Sequence, residues 1–154
     1  MASGKTYEGK RMAERLGVRF IDLDAYITER EHRSIPDIFS QSGEAVFREL
    51  ETSYLREVCE LFDSFVLSTG GGTPCVKDNM EYMNGQGHTV FLDTDAEVIT
   101  RRLVRGKYRR PMVSHLSDAE IYDFVCSHLQ ERLPFYRMAK ETIKGGWSDM
   151  KDSK

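Results

Sequence analysis

Three brief apolar runs, Arg19-Phe20-Ile21-Asp22, Phe65-Val66-Leu67-Ser68 and Thr89-Val90-Phe91-Leu92-Asp93, alternate along this chain with segments of helical periodicity. That alternation constrains the fold more than any single residue. The runs end in polar or glycine residues and read as strands. Met12, Ala13 and Leu16 recur at helical spacing between Thr6 and Leu16, and Gly17 then acts as a C-cap. Further helical patterns cover Asp24 to Glu31, Ile35 to Ser42, Glu44 to Phe62, Asp78 to Asn84, Asp95 to Leu103 and Ser117 to Arg132. Strands joined through helices pair in parallel. The expected fold is therefore α/β, a three-layer parallel sheet flanked by helices, with ligands beyond the C-terminal ends of the strands.

The chain of 154 residues, 40% apolar and 31% charged, has room for one domain with one core, spanning residues 1–154. No apolar run reaches the length of about 18 residues needed for a membrane helix, and the N-terminus lacks the order of a secretory signal. Cytoplasmic placement is the default expectation. Cys59, Cys75 and Cys126 form no C-x-x-C pair and have no histidine at zinc spacing, so buried thiols are expected rather than disulfides or a metal knuckle. A formal charge of -3 argues against nucleic acid as the main partner. Yet Arg101, Arg102, Arg105, Lys107, Arg109 and Arg110 cluster in one stretch, a local field suited to a small phosphate-bearing ligand.

Gly4-Lys5-Thr6, followed by a helix, matches the C-terminal half of the phosphate loop G-x-x-x-x-G-K-[ST]. In such loops backbone N–H groups wrap phosphates, the lysine neutralises charge and the hydroxyl holds magnesium. A disordered amino terminus ahead of an amphipathic helix is the plain alternative. Phe20-Ile21-Asp22-Leu23-Asp24 places two carboxylates two apart at a strand end, one for a magnesium shell and one for a substrate hydroxyl, although Asp24 could equally be a helix N-cap. Gly43-Glu44-x-x-Phe47-Arg48-x-x-Glu51 sets Arg48 and Glu51 on one helical face, where a carboxylate can hold a guanidinium or form an ordinary surface pair. Ser68-Thr69-Gly70-Gly71-Gly72 strips side chains from a strand end, so that a ligand can approach the backbone. Arg109-Arg110-Pro111 closes the basic stretch, and Glu131-Arg132-x-Pro134-x-Tyr136 ends the last strong helix.

In this order and spacing, from Ala2 to about Ala139, these segments closely resemble the shikimate kinases, P-loop enzymes with a nucleoside monophosphate kinase-like fold. The resemblance implies ATP-dependent phosphorylation of the 3-hydroxyl of shikimate in chorismate and aromatic amino-acid biosynthesis, with ATP and Mg2+ as cofactors. It implies that Ala2, Ser3, Gly4, Lys5, Thr6 and Tyr7 line the ATP site. Lys5 would contact the transferring phosphate, Thr6 would ligate magnesium, and Asp22 would stand in its outer shell. Asp24 would bind ring hydroxyls and help deprotonate the attacking one. Arg48 and Arg132 would hold the substrate carboxylate, with Gly71 and Gly72 lining the pocket. Arg110 would reach the phosphates from a lid over about residues 105–117. Such an enzyme is expected to be a monomer, with no nucleic-acid or membrane partner.

The resemblance also places a first, central strand and the first loop glycine ahead of Met1, so Met1 is read as an internal methionine of a longer reading frame. Without that strand, two strand edges and apolar helix faces are expected to be exposed. After Ala139 the family pattern runs into a last strand, which Ile143 could begin, whereas residues 140–154 form an atypical tail. Two other readings stay open: a non-catalytic nucleotide- or shikimate-binding remnant, and a related small P-loop kinase acting on another anionic metabolite.

Overall fold

The computed structural model describes residues 2–106 and 113–144. Contacts divide the chain into two compact units, Lys5–Gly87 and a second that joins the residues up to Gly4 to those from His88 onward.

In the first unit, α1 (Lys5–Leu16) ends where Gly17 adopts φ +66°, the left-handed conformation that glycine takes without a steric penalty. It lies against β1 (Arg19–Asp22) because Gly9 has no side chain: an added Cβ would stand 2.6 Å from the Phe20 ring. Asp22 is then the N-cap of α2 (Leu23–Glu31), accepting from the N–H groups of Asp24 (3.0 Å) and Ala25 (3.3 Å). Ser34 caps α3 (Ile35–Leu61), which is broken at Gly43 (φ 84°, ψ 169°), a conformation essentially reserved for glycine. The two expected helices on either side of Gly43 are thus one element with a sharp break. The second strand, β2 (Phe65–Ser68), feeds the three glycines and a 3₁₀ turn (Thr73–Cys75), and α4 (Asn79–Gln86) closes the unit.

Strands β1 and β2 pair in parallel with Asp22 opposite Ser68, so Asp22–Asp24 and Ser68–Gly72 leave the ladder at the same end. Leu23, Ile27, Ile38, Phe47 and Leu55 form the core beneath, each worth about 1.5–3 kcal/mol when fully buried.

In the second unit, β3 (Val90–Asp93) pairs in parallel with β4 (Glu141–Lys144). Between them in sequence come α5 (Ala96–Arg105) and α6 (Asp118–Tyr136). A reciprocal capping box starts α6: Glu120 N–H donates to Ser117 Oγ (3.3 Å), and Ser117 N–H donates to Glu120 Oε2 (2.6 Å). Ile99, Leu103, Val113, Ile121 and Val125 pack into a second apolar cluster.

All three strands read from the sequence are present, and β4 spans the position at which Ile143 was expected to begin one. The described strands form two separate two-stranded sheets, and their apolar residues are half-buried rather than enclosed on both faces. One expectation is corrected. The three cysteines are free but only half-buried, Cys59 lying at the margin of the first core rather than inside it. No described helix is long and apolar enough to cross a membrane. Met1, residues 107–112 of the expected lid, among them Arg109, Arg110 and Pro111, and the tail beyond Lys144 lie outside the described residues.

Candidate active site

Capping divides the work of the two carboxylates at the end of β1. Asp22 spends Oδ1 on the helix α2 N–H groups and leaves Oδ2 3.5 Å from the Thr6 hydroxyl. Asp24 is therefore not the cap. It sits in the first turn of α2, and its carboxyl leans toward Gly70, where an added Cβ would be 3.4 Å from Oδ1. Solvent still reaches Asp24 as a residue, but crowding around its carboxyl raises the pKa above the ordinary aspartate value. Burial is the largest cause; the charges of Asp22 and Glu51 add to it, and those of Lys5 and Arg48 oppose it.

Arg48 and Glu51 are one turn apart on α3, and the pair is not a surface one. Glu51 is 1% exposed. Its Oε2 accepts from Arg48 Nη1 at 2.6 Å and its Oε1 from the Thr73 hydroxyl at 2.7 Å. Glu44, four residues before Arg48, accepts from Nη2 at 3.2 Å. Burial works against the guanidinium's charge, but the hydrogen bonds and charges of Glu51 and Glu44 outweigh it and hold the pKa above the ordinary arginine value. The ring of Phe47 lies 5.3 Å from the guanidinium carbon and pairs with Phe39 at 4.7 Å.

Two of the three glycines have side chains lying directly against their backbone. A Cβ on Gly72 would stand 2.5 Å from Arg48 Nη1 and 2.8 Å from Cζ, so the guanidinium lies flat against that backbone. A Cβ on Gly70 would be 2.9 Å from Glu51 Oε1 and 3.2 Å from Thr73 Oγ1. Behind them, Asn79 is fully buried and donates from Nδ2 to Thr73 O (3.0 Å) and Thr52 Oγ1 (3.1 Å). Gly71 carries its carbonyl toward Cys75 Sγ (3.9 Å).

The remaining candidates fall elsewhere. Ala2 (φ 51°) and Gly4 (φ 95°) turn the chain into α1, and the Ala2 and Ser3 carbonyls accept from Arg102 Nη1 (3.1 Å) and the buried Thr94 hydroxyl (3.0 Å). Fixing those carbonyls orients the peptide planes of the turn, as an anion-binding concavity needs. Tyr7 is exposed on the first turn of α1. Arg132, on α6 in the second unit, lines a small cavity of about 30 Å³ with Ile99, Leu103, Phe124 and His128. The structure thus brings together Thr6, Asp22, Asp24, Arg48 and Gly72, while Arg132 belongs to the other unit and Arg110 lies outside the described residues.

The residues present fit magnesium. The Thr6 hydroxyl, donating toward Asp22, keeps lone pairs for an ion, and Mg2+ is commonly held by one or two protein oxygens plus substrate phosphates. Among the described residues, no group of three or more His, Cys, Asp or Glu side chains forms an all-protein metal cage.

Sequence reasoning did not single out Thr73, Asn79 or Phe39. Thr73 directly follows the three glycines and could have been suspected on that ground. Asn79 and Phe39 gave no signal, since only packing sets them near the pair.

The shikimate kinase family model matches residues 1–150. A shikimate kinase of Phocaeicola vulgatus is 51% identical over 144 residues, covering 94% of this chain and 82% of that protein. One from Bacteroides fragilis is 52% identical over 139 residues, covering 90% and 77%. Among solved structures, the shikimate kinase of Bacteroides thetaiotaomicron superposes with a TM-score of 0.89 at 48% identity, covering 94% of this chain and 81% of that one. A shikimate kinase from Acinetobacter baumannii in complex with shikimate gives a TM-score of 0.84 at 35% identity, covering 95% and 79%. The α/β architecture is shared with these kinases, and this chain belongs to the shikimate kinase family.

Proposed function

We propose that this chain transfers the γ-phosphoryl group of ATP to the 3-hydroxyl of shikimate, yielding shikimate 3-phosphate and ADP on the route to aromatic amino acids. The observation that carries this reading is the half-buried Arg48, paired with the buried Glu51 and lying on bare Gly72, in the same unit as Asp24. A cation fixed for a carboxylate, together with a base for a hydroxyl, suits a ring acid that bears both groups. The relative solved with shikimate supports the choice of substrate.

In this reading Arg48 binds the carboxylate and orients the ring, with the backbone of Gly71 and Gly72 as the pocket wall. Asp24 accepts the proton of the 3-hydroxyl as that oxygen bonds to the γ-phosphorus and the bond to the ADP oxygen breaks. Its raised pKa brings it nearer the working pH and makes it a better base than an ordinary aspartate. Lys5 offsets charge on the transferring group, and Ala2, Ser3, Gly4, Thr6 and Tyr7 line the nucleotide site. Mg2+, held by Thr6 with Asp22 in its outer shell, would neutralise phosphate charge. Arg132 as a second carboxylate contact and Arg110 in a lid over about residues 105–117 follow from the family resemblance. A monomeric, single-domain cytoplasmic enzyme is the corresponding whole-molecule reading.

The test is a coupled ADP-release assay on the purified chain, with shikimate binding followed by calorimetry. Shikimate-dependent ADP release is the expected result. Folded protein that binds shikimate without turnover would point to a non-catalytic remnant, and folded protein that does neither would overturn the proposal.

A further inference from the structure

We infer that Thr73 is a positioning residue for substrate binding: its hydroxyl fixes the buried Glu51, and through it the guanidinium of Arg48. The inference deepens the functional reading above and rests on it for the identity of the substrate.

A glutamate carboxyl turns easily about its last torsion, whose preferences are broad, so one bond to Arg48 does not fix its plane. Glu51 has two anchors. Arg48 Nη1 donates to Oε2 at 2.6 Å, and the Thr73 hydroxyl donates to Oε1 at 2.7 Å, with Thr73 itself fully buried. Both oxygens are thus committed, and the direction in which Oε2 presents itself to Arg48 is set from the Thr73 side.

Thr73 is in turn rigidly held. Its N–H donates to Gly70 O (3.2 Å), and its carbonyl accepts from Asn79 Nδ2 (3.0 Å). The same Nδ2 donates to Thr52 Oγ1 (3.1 Å), the residue next to Glu51 on α3. Bare Gly70 keeps the gap open, since a Cβ there would lie 2.9 Å from Glu51 Oε1 and 3.2 Å from Thr73 Oγ1. The first residue after the glycines therefore ties the pocket wall to the carboxylate-binding arginine.

Thr73→Val removes the hydroxyl at nearly constant volume, and Thr73→Ser restores it. Thr73→Val is expected to raise the shikimate KM and the calorimetric Kd about tenfold, leaving kcat and the ATP KM near their starting values, while Thr73→Ser recovers most of the loss. A substrate-free readout accompanies these: the ¹⁵N–¹H guanidinium resonance of Arg48, assigned by its disappearance in Arg48→Lys. It should be sharp in the unaltered chain and in Thr73→Ser, and broadened in Thr73→Val.

The inference is overturned if Thr73→Val keeps the original shikimate KM and Arg48 resonance, if Thr73→Ser is no better than Thr73→Val, or if shikimate and ATP binding weaken together. If Thr73→Val does not fold, Thr73→Ala is read by the same measurements against the same outcomes. Should the unaltered chain fail to bind shikimate, the functional reading falls, and the Arg48 resonance still decides whether Thr73 positions the arginine.

Discussion

The two units hold themselves together in different ways. In Lys5–Gly87 the buried set includes Glu51, Thr52, Ser68, Thr73 and Asn79, whereas in the second unit Thr94 is the buried polar residue among those described, beside a cluster of aliphatic side chains. Burying polar groups is costly unless they are hydrogen-bonded, and those of the first unit largely are, although Asn79 Oδ1 has no partner among the described residues. A folding core does not need such a network. Directional bonds fix orientation where apolar packing fixes only volume, and in the first unit they fall on the glutamate that holds the Arg48 guanidinium.

The comparison is broken most directly at Glu51. Glu51→Ala leaves Arg48 and the Thr73 hydroxyl without their shared acceptor, and it should cost about 3 kcal/mol in urea unfolding, by the scale for halving a buried pair. It should also reduce shikimate turnover roughly a hundredfold through misplacement of the carboxylate contact. Ile121→Ala in the second unit is expected to cost a similar 3 kcal/mol or so by leaving a cavity. Its folded fraction should nonetheless bind shikimate as before, in the same calorimetric assay. Equal loss of affinity in the two variants would erase the distinction between the units.

Gly72→Ala tests the pocket wall with little change in the core. Its methyl group would displace the Arg48 guanidinium, so the shikimate KM should rise roughly tenfold while the ATP KM stays put.

A smaller effect separates the units by pH. Asp24 has a raised folded pKa, so the folded state favours its protonated form. Stability from this group is present below its ordinary value of 3.8 and is lost as pH rises through the folded value. His128 behaves oppositely. Burial, with the nearby Arg132 charge, lowers its pKa, so its contribution is present above 6.5 and is lost as pH falls through the folded value. Asp24→Asn should therefore unfold at higher urea than the parent at pH 7, with the gap closing toward pH 3. His128→Gln should narrow the loss of stability on going from pH 7 to pH 5. Urea midpoints across that range check both signs.

Much of this was legible in the residues. Brief apolar runs located the strands and helical periodicity the helices, to within a few residues, because burial writes apolar runs or a period near 3.6 into the segments that pack. The motif residues Asp22, Asp24, Arg48 and Gly72 converge as expected, since register places the ends of β1 and β2 side by side. Which carboxylate would cap α2 was not legible, because Asp22 and Asp24 are both good caps and only the backbone turn, placing Asp22 at φ -100° and ψ 118°, chose between them. Nor could spacing tell a surface pair from a buried one at Arg48 and Glu51. That difference depends on the glycine segment packing over the helix.

The sequence by itself determined the order of elements, the Gly4-Lys5-Thr6 motif and the set of residues that mark the family, because these are local patterns or linear spacings. Tertiary structure alone decided that Glu51 is shared between Arg48 and Thr73, that Gly70 and Gly72 are bare to admit those side chains, and that Asp24 carries a raised pKa. Each of these depends on distances of a few ångströms between residues some twenty or more positions apart, and no local pattern encodes them.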